Sequence, residues 1–172
     1  YISAQLCKYN ICGSMKLIIM RHGEAESIRV EDIQRNLTTL GRKQATKAGK
    51  WLADYLGDDI SVDVALVSNY VRAEQTFLQV SQQISVVEKQ VCLDVIPIGD
   101  PKIAHDFIDF LLIDSPTLDV MLIVSHMPFV SYFLEEVHIH KHSMLFDTSS
   151  AVIVEYNPKT GCGEIEGIYH PN

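Results

Sequence analysis

Long apolar runs, metal-type cysteine spacings and positive charge are all scarce in this sequence, and each shortage excludes a class of protein. No apolar stretch approaches the roughly 20 residues that cross a bilayer, so we expect no membrane partner. The four cysteines (Cys7, Cys12, Cys92 and Cys162) lack the spacing of a zinc site, which predicts free thiols in a reducing cytoplasm. With 14 Lys and Arg against 22 Asp and Glu, the net charge of −8 argues against a nucleic-acid partner.

What the sequence does have is the composition of one ordinary globular domain. Its 172 residues are 47% hydrophobic and 21% charged, enough for a sizeable core. Residues 1–14 differ from the rest, and Gly13-Ser14 directly before Met15 resembles the junction left by a cloning vector. We therefore expect a vector-derived or non-native extension over 1–14 and a single domain over 15–172. The extension is a poor signal peptide, because it lacks a basic start before a long apolar core.

Strand-like and helix-like patterns alternate along most of the chain. Short apolar runs indicate strands, and apolar residues at helical spacing indicate helices, the first capped by Thr38 or Thr39 and ended at Gly57. This alternation predicts a three-layer α/β/α sandwich with a mostly parallel central sheet. Two final strand patterns flanking a turn predict an antiparallel C-terminal hairpin. The predicted strands are 17–20, 62–67, 91–96, 119–124, 151–156 and 164–169, and the predicted helices are 39–56, 68–84, 102–112 and 128–137.

Histidines and arginines follow several of the predicted strands. Arg21 and His22 come directly after the first strand, His126 comes after the fourth, and Arg72 falls in the first turn of the helix after the second. Ligands of open α/β sheets bind beyond the carboxyl ends of the strands, so these four side chains are candidates for one crevice. On spacing alone, Arg72 is equally compatible with an exposed surface position. Guanidinium forks and imidazoles together suit a phosphate group.

Phosphoryl transfer requires such a set of side chains. The non-bridging oxygens of the phosphoryl group carry the charge, so fixed cations and donors must surround them. We expect His22 to attack phosphorus with one neutral nitrogen while its other nitrogen is held by an acceptor. His126, best protonated, would donate to a phosphoryl oxygen. Gly23 leaves room for backbone amides to approach the anion.

These motifs, in this order, resemble those of the histidine phosphatase superfamily (phosphoglycerate mutase-like, branch 1). The residues that carry the resemblance are Arg21-His22-Gly23, Leu37-Thr38-x-x-Gly41, and the strings 67–76 and 123–130, which look most like SixA-type phosphohistidine phosphatases. The resemblance covers nearly everything from Met15 to the hairpin. It implies a phosphoglycerate mutase-like fold and transient phosphorylation of His22. It also implies that Arg21, Arg72 and His126 bind the phosphoryl group, without metal or other cofactor.

A separate acidic proton donor is the least defined part of this prediction. Larger relatives carry one before a glycine loop, where this chain has Asp94, and Glu24 beside the first motif is a second possible acid. The resemblance to SixA-type enzymes implies that neither is needed, because the P–N bond of phosphohistidine is labile and imidazole leaves far more readily than an alkoxide. Asp94 and Glu24 therefore stay as possible acids, with structural roles as the alternative.

A different reading concerns His138, His140 and His142, which alternate along the chain. An extended His-x-His-x-His run can bind a transition metal. The run follows a predicted helix, contains Lys141 and has no cysteine or matching carboxylate. A surface loop is the simpler interpretation, so we predict no metal site.

The leading functional hypothesis is a metal-independent cytoplasmic phosphatase that hydrolyses phosphohistidine on a phosphotransfer domain of a signalling relay. Two alternatives remain: a phosphatase for a small phosphorylated metabolite, and a non-catalytic module that binds phosphoproteins. A mutase is disfavoured because the chain is short and lacks an evident lid insertion and a convincing acid. A basic rim drawn from Arg29, Arg35, Arg42 or Lys43 would help an acidic chain to meet an acidic partner. We expect a monomer or a weak dimer.

Overall fold

The computed structural model describes residues 13–28 and 31–171. The predicted extension over 1–14 lies almost wholly outside these residues, as do Cys7, Cys12 and Arg29. Six strands and four α-helices follow one another in the order βαβαβαβαββ. The strands are β1 (Met15–Arg21), β2 (Val62–Val67), β3 (Val86–Val91), β4 (Val120–Ser125), β5 (Ala151–Asn157) and β6 (Cys162–Tyr169). The helices are α1 (Thr39–Leu56), α2 (Val71–Ser81), α3 (Pro101–Asp114) and α4 (Phe129–Val137).

The six strands form one sheet in the order β3-β2-β4-β1-β5-β6. Strands β3, β2, β4 and β1 pair in parallel, whereas β5 is antiparallel to β1 and to β6. Strands β1 and β4 lie in the centre, and they are nearly continuous apolar runs because both of their faces are covered. The predicted mostly parallel sheet and its antiparallel C-terminal hairpin are confirmed.

Helices cover both faces of the sheet. Leu17 and Ile19 of β1 point into a core with α3 and α4, while Ile18 and Met20 point into a second core with α1 and α2. This alternation follows from the two-residue period of a strand. The three-layer α/β/α sandwich is therefore confirmed. No helix in the described part of the chain is long and apolar enough to cross a membrane.

The start of α1 agrees with its predicted cap. The Thr38 hydroxyl accepts a hydrogen bond from the backbone N–H of Gly41 at 3.0 Å, and Gly57 ends the helix with a positive φ of 87°. The other helices begin within three residues of their predicted positions, so Arg72 does lie in the first turn of α2.

The predicted strand over 91–96 is wrong. The third strand is Val86–Val91, and Leu93–Val95 forms a 3-10 turn instead. Strand β3 lies at the edge of the sheet, and its exposed residues include Glu88 and Lys89, so it lacks the apolar pattern of a central strand. Of the apolar residues in 91–96, Cys92 and Val95 are buried at this turn rather than in a strand, whereas Val91 and Leu93 are exposed.

Candidate active site

The carboxyl ends of β1 and β4 bring the two motif histidines together. The backbone N–H of His22 donates to the carbonyl oxygen of Ser125 at 2.9 Å, which continues the β1–β4 pairing past the last strand residue. The ring centroids of His22 and His126 lie 5.0 Å apart, and both side chains are buried. One tetrahedral oxyanion is therefore small enough to contact both imidazoles.

The protonation of His22 follows from its hydrogen bonds. Its Nδ1 lies 2.6 Å from the carbonyl oxygen of Gly23. A carbonyl can only accept, so Nδ1 carries the proton and Nε2 presents a lone pair. Burial, together with the charges of Arg72 and Arg21, lowers the pKa of His22 to about 3, although the hydrogen bond to the Gly23 carbonyl acts in the opposite direction. At neutral pH, His22 is thus an uncharged imidazole whose Nε2 is unprotonated, the state that the sequence predicted for a nucleophile.

Arg72 lies directly over that lone pair. Its Nε–H donates to Nε2 of His22 at 3.2 Å, while its Nη1 and Nη2 donate to the backbone carbonyl oxygen and the carboxylate of Asp32 at 2.7 and 3.2 Å. The guanidinium also lies over the ring of Tyr70, with Cζ 4.9 Å from the ring centroid. Arg72 is therefore a buried part of the site rather than an exposed surface residue.

His126 is held by residues that lie between the end of β2 and the start of α2. Its Nε2 lies 2.7 Å from the hydroxyl oxygen of Ser68, and the ring of Tyr70 contacts it edge-on at 4.8 Å between centroids. Burial, with smaller contributions from His22 and Arg72, lowers the pKa of His126 to about 2. His126 is therefore neutral in the protein by itself, in contrast to the expected protonated form. Two arginines and a second imidazole in a buried space make an additional positive charge unfavourable.

Arg21, the last residue of β1, is the second arginine of the site. Its Nη1 donates to the carbonyl oxygen of Phe146 at 2.7 Å, and its charge lowers the pKa of both histidines. Its Nε is buried without a hydrogen-bond partner among the described residues. Two other buried side-chain atoms of the described residues also lack a hydrogen-bond partner, Nδ1 of His126 and Oγ of Ser149. The backbone N–H of Ser149 donates to the carbonyl oxygen of His22. All three unpartnered atoms thus belong to residues at or next to this site.

Gly23 is required by close packing. A Cβ at this position would lie 2.5 Å from the carbonyl oxygen of Gly41, and one at Gly41 would lie 2.0 Å from the carbonyl oxygen of Glu24. The first turn of α1 therefore packs directly against the loop after β1. The backbone N–H of Gly23 donates to Thr76 Oγ1 at 3.0 Å, so it is engaged by α2 rather than free to bind an anion.

The two possible acids have different surroundings. The carboxylate of Glu24 accepts from the hydroxyl of Thr38 at 2.8 Å, which ties the loop after β1 to the start of α1. Asp94 lies in the 3-10 turn after β3, and the next residue, Val95, accepts a hydrogen bond from the hydroxyl of Ser125. Among the described residues, no hydrogen bond or ion pair joins either carboxylate to the four predicted site residues.

Sequence reasoning missed four residues that position the site. Ser68 and Tyr70 contact His126, Asp32 holds Arg72, and Thr76 holds the backbone of Gly23. Ser68 stands directly after β2, the position type that drew attention to His22 and His126, so it was open to detection. Asp32 had no comparable signal, because it lies in an irregular loop 40 residues from Arg72.

The alternating histidines form a separate cluster at the end of α4. Ring centroids of His138, His140 and His142 lie 4.9 to 6.0 Å apart. Nδ1 of His138 accepts from the backbone N–H of His140 at 3.1 Å, so the neutral ring carries its proton on Nε2 and presents no free lone pair. Within 13–28 and 31–171, no group of three or more His, Cys, Asp or Glu side chains is arranged to hold a metal ion.

Two histidines and two arginines at the carboxyl ends of the strands of an α/β/α fold suit a phosphoryl-transfer enzyme. Comparison with known proteins agrees. Residues 17–94 match the model of the histidine phosphatase superfamily (branch 1). The chain is 37% identical over 138 residues to a phosphohistidine phosphatase SixA homolog of Haemophilus influenzae, covering 77% of this chain and 82% of that protein. It is 29% identical over 141 residues to phosphohistidine phosphatase SixA of Escherichia coli, covering 81% and 84%.

Solved structures give the same result. The structure of the protein histidine phosphatase SixA complexed with tungstate superposes with a TM-score of 0.83 at 27% identity, covering 91% of this chain and 97% of that one. The chain therefore belongs to the histidine phosphatase superfamily, branch 1, as its motifs predicted. It is a phosphatase that resembles the SixA type.

Proposed function

We propose that this protein removes the phosphoryl group from phosphohistidine on another protein, a phosphotransfer domain of a signalling relay, through a phosphorylated His22. The observation that carries the proposal is the neutral His22 ring, whose Nε2 lone pair faces Arg72 while Gly23 holds the opposite nitrogen. A neutral nitrogen among fixed positive charges suits attack on a phosphoryl dianion.

The unpartnered buried donors support an oxyanion as the ligand. Leaving a buried donor unsatisfied costs about 1–3 kcal/mol, so such atoms are rare and call for an explanation. Nε of Arg21 and Nδ1 of His126 are both in this condition. The Ser68 hydroxyl accepts from the backbone N–H of Tyr70 and can donate its own proton to Nε2 of His126, which leaves the His126 proton on Nδ1. Both atoms would then donate to phosphoryl oxygens.

The reaction has two steps. In the first, Nε2 of His22 forms a bond to phosphorus, the P–N bond of the substrate breaks, and the departing imidazole nitrogen takes a proton from water. Arg72 exchanges its bond to Nε2 for bonds to phosphoryl oxygens. In the second, a water oxygen attacks phosphorus, the P–N bond to His22 breaks with its electron pair returning to Nε2, and both water protons leave with inorganic phosphate as H2PO4−. One of these protons neutralises the hydroxide that the first step left. Nδ1 of His22 keeps its proton in both steps, hydrogen-bonded to the carbonyl oxygen of Gly23. This protonation weakens the P–N bond of the intermediate.

This chemistry needs no strong acid. Imidazole is a good leaving group, so the absence, among the described residues, of a hydrogen bond or ion pair between the four site residues and Glu24 or Asp94 fits a phosphoramidate substrate better than a phosphate ester. The positive charge that a metal would supply comes from Arg21 and Arg72, and we therefore propose a metal-independent reaction. The SixA names of the relatives, and the tungstate in the SixA structure, a tetrahedral oxyanion, support the same substrate.

A protein substrate is supported by the rim of the crevice. Leu145, Leu93 and Ile98 are exposed by 81%, 64% and 87%, and they lie close in the chain to residues that contact the site. Leu145 precedes Phe146, which binds Arg21, while Leu93 and Ile98 flank Val95, which binds the residue before His126. Apolar side chains beside a charged crevice suit a macromolecular surface better than a small metabolite. We propose a cytoplasmic monomer or weak dimer, consistent with the free thiols of Cys92 and Cys162.

The decisive experiment is trapping of the phosphoenzyme from a phosphohistidine-labelled protein. We expect the parent protein to acquire a base-stable, acid-labile label and His22→Asn to acquire none. His140→Asn is the matched control, because His140 is exposed and its neighbour Ile139 hydrogen-bonds Gly163, at the end of the sheet opposite His22. It should label like the parent. Unchanged turnover by His22→Asn would refute the covalent mechanism. Turnover of the parent that is unaffected by a chelator would support metal independence.

A further inference from the structure

Helix α1 carries a row of exposed cations that begins at the edge of the active site. Arg42, Lys43, Lys47 and Lys50 are all exposed, and with Thr46 and Gln79 they line one shallow groove between α1 and α2. Lys43, Lys47 and Lys50 follow the i, i+4, i+7 spacing of one helix face. At 1.5 Å per residue, the row from Arg42 to Lys50 is about 12 Å long.

The row is connected to the site by direct packing. Gly41, the residue before Arg42, contacts the backbone of Gly23 and Glu24 so closely that a Cβ would not fit. The positively charged groove therefore starts beside the loop that follows His22 and runs away from it along the protein surface.

These four cations do not stabilise helix α1. No acidic residue lies in the first turn of α1, where the helix dipole favours one, and Arg42 and Lys43 follow that turn directly. Like charges spaced i, i+4, as at Lys43 and Lys47, destabilise a helix. Among the ion pairs of the described residues, none involves any of the four cations. In a chain of net charge −8, four unpaired cations within nine residues form a local field of the opposite sign.

We propose that this α1 groove docks an acidic surface of the phosphoprotein substrate, next to its phosphohistidine. The inference rests on the proposed function and names the charge of its partner. Charge complementarity at the rim of an interface accelerates association and discriminates between partners more than it adds affinity. The groove would thus make the enzyme selective for acidic phosphoproteins, although the residues that bind the phosphoryl group accept any phosphohistidine.

The test compares two double variants on three substrates. Arg42→Glu/Lys43→Glu reverses the groove next to the site, and Lys102→Glu/Lys159→Glu makes the same change of net charge elsewhere: Lys102 begins α3 on the opposite face of the sheet, and Lys159 lies in the β5–β6 turn. The substrates are an acidic phosphotransfer domain phosphorylated with phosphoramidate, a lysine-rich phosphohistidine peptide, and free phosphohistidine. We measure kcat/KM for each at low and at high salt.

We expect the groove variant to lose about 10- to 100-fold in kcat/KM on the acidic domain at low salt, which is within the range of electrostatic steering. The loss should shrink at high salt, where screening weakens exposed charges. Turnover of free phosphohistidine should be unchanged, and turnover of the lysine-rich peptide should rise. An equal loss in both double variants, or none in the groove variant, would refute docking at α1. If the parent turns over none of the three substrates, the proposed function fails and the docking inference fails with it.

Discussion

The buried histidines should make the stability of this protein fall steeply in mild acid. The pKa of His22 is about 3 and that of His126 about 2, against an ordinary value of about 6.5 for an unfolded chain. Between pH 6.5 and pH 3 the unfolded chain therefore binds a proton at each position that the folded protein does not. Stability is full above pH 6.5 and is lost as the pH falls towards the folded-state pKa values.

The magnitude follows from the width of this window. At pH 5 each histidine is about 1.5 pH units below its unfolded pKa, and at 1.36 kcal/mol per unit this removes about 2 kcal/mol. Both histidines together remove about 4 kcal/mol, a large part of the 5–15 kcal/mol that typically stabilises a domain. Asp109 acts in the opposite direction, because burial raises its pKa, but its effect is common to the parent and the variants.

Urea unfolding at pH 7 and pH 5, followed by the fluorescence of Trp51, measures this loss. Relative to the parent, the decrease in the free energy of unfolding between the two pH values should be about 2 kcal/mol smaller in His126→Asn. The exposed-site control His170→Asn should show the same decrease as the parent. If His126→Asn loses as much stability as the parent, His126 is not the neutral buried group that the structure indicates, and the reasoning is refuted.

Two further substitutions test other contacts. Gly41→Ala should lower the free energy of unfolding by about 1–3 kcal/mol, and activity with it. A Cβ there would lie 2.0 Å from the carbonyl oxygen of Glu24, whereas Gly→Ala in an open helix position is stabilising. Thermal unfolding and turnover assays test this. A stabilised, fully active variant would contradict the close packing. Tyr156→Phe should cost about 1–3 kcal/mol, because the buried carboxylate of Asp109 loses its donor at 2.7 Å. The half-exposed Tyr55→Phe is its control, and equal urea midpoints for the two variants would argue against a stabilising role for that bond.

Much of the fold was predictable because its signals are local. The central strand β1 is a short apolar run that ends at Arg21, and α1 has its cap at Thr38, so neighbouring residues were enough to identify both. The edge strand β3 was placed wrongly because its burial depends on where the sheet ends, which no short stretch of sequence encodes. The contact of Asp32 with Arg72 was missed for a related reason, since Asp32 lies in an irregular loop 40 residues from Arg72.

The sequence by itself predicted that Arg21, His22, Arg72 and His126 would come together, because they follow strands whose carboxyl ends meet on the same side of a parallel sheet. Only the tertiary structure decided the chemical state of these residues. The carbonyl of Gly23 selects the reactive nitrogen of His22, and the guanidinium of Arg72 lies against it. Burial beside two arginines keeps both histidines neutral. Protonation depends on desolvation and on charges brought close in space, and both exist only after the chain has folded.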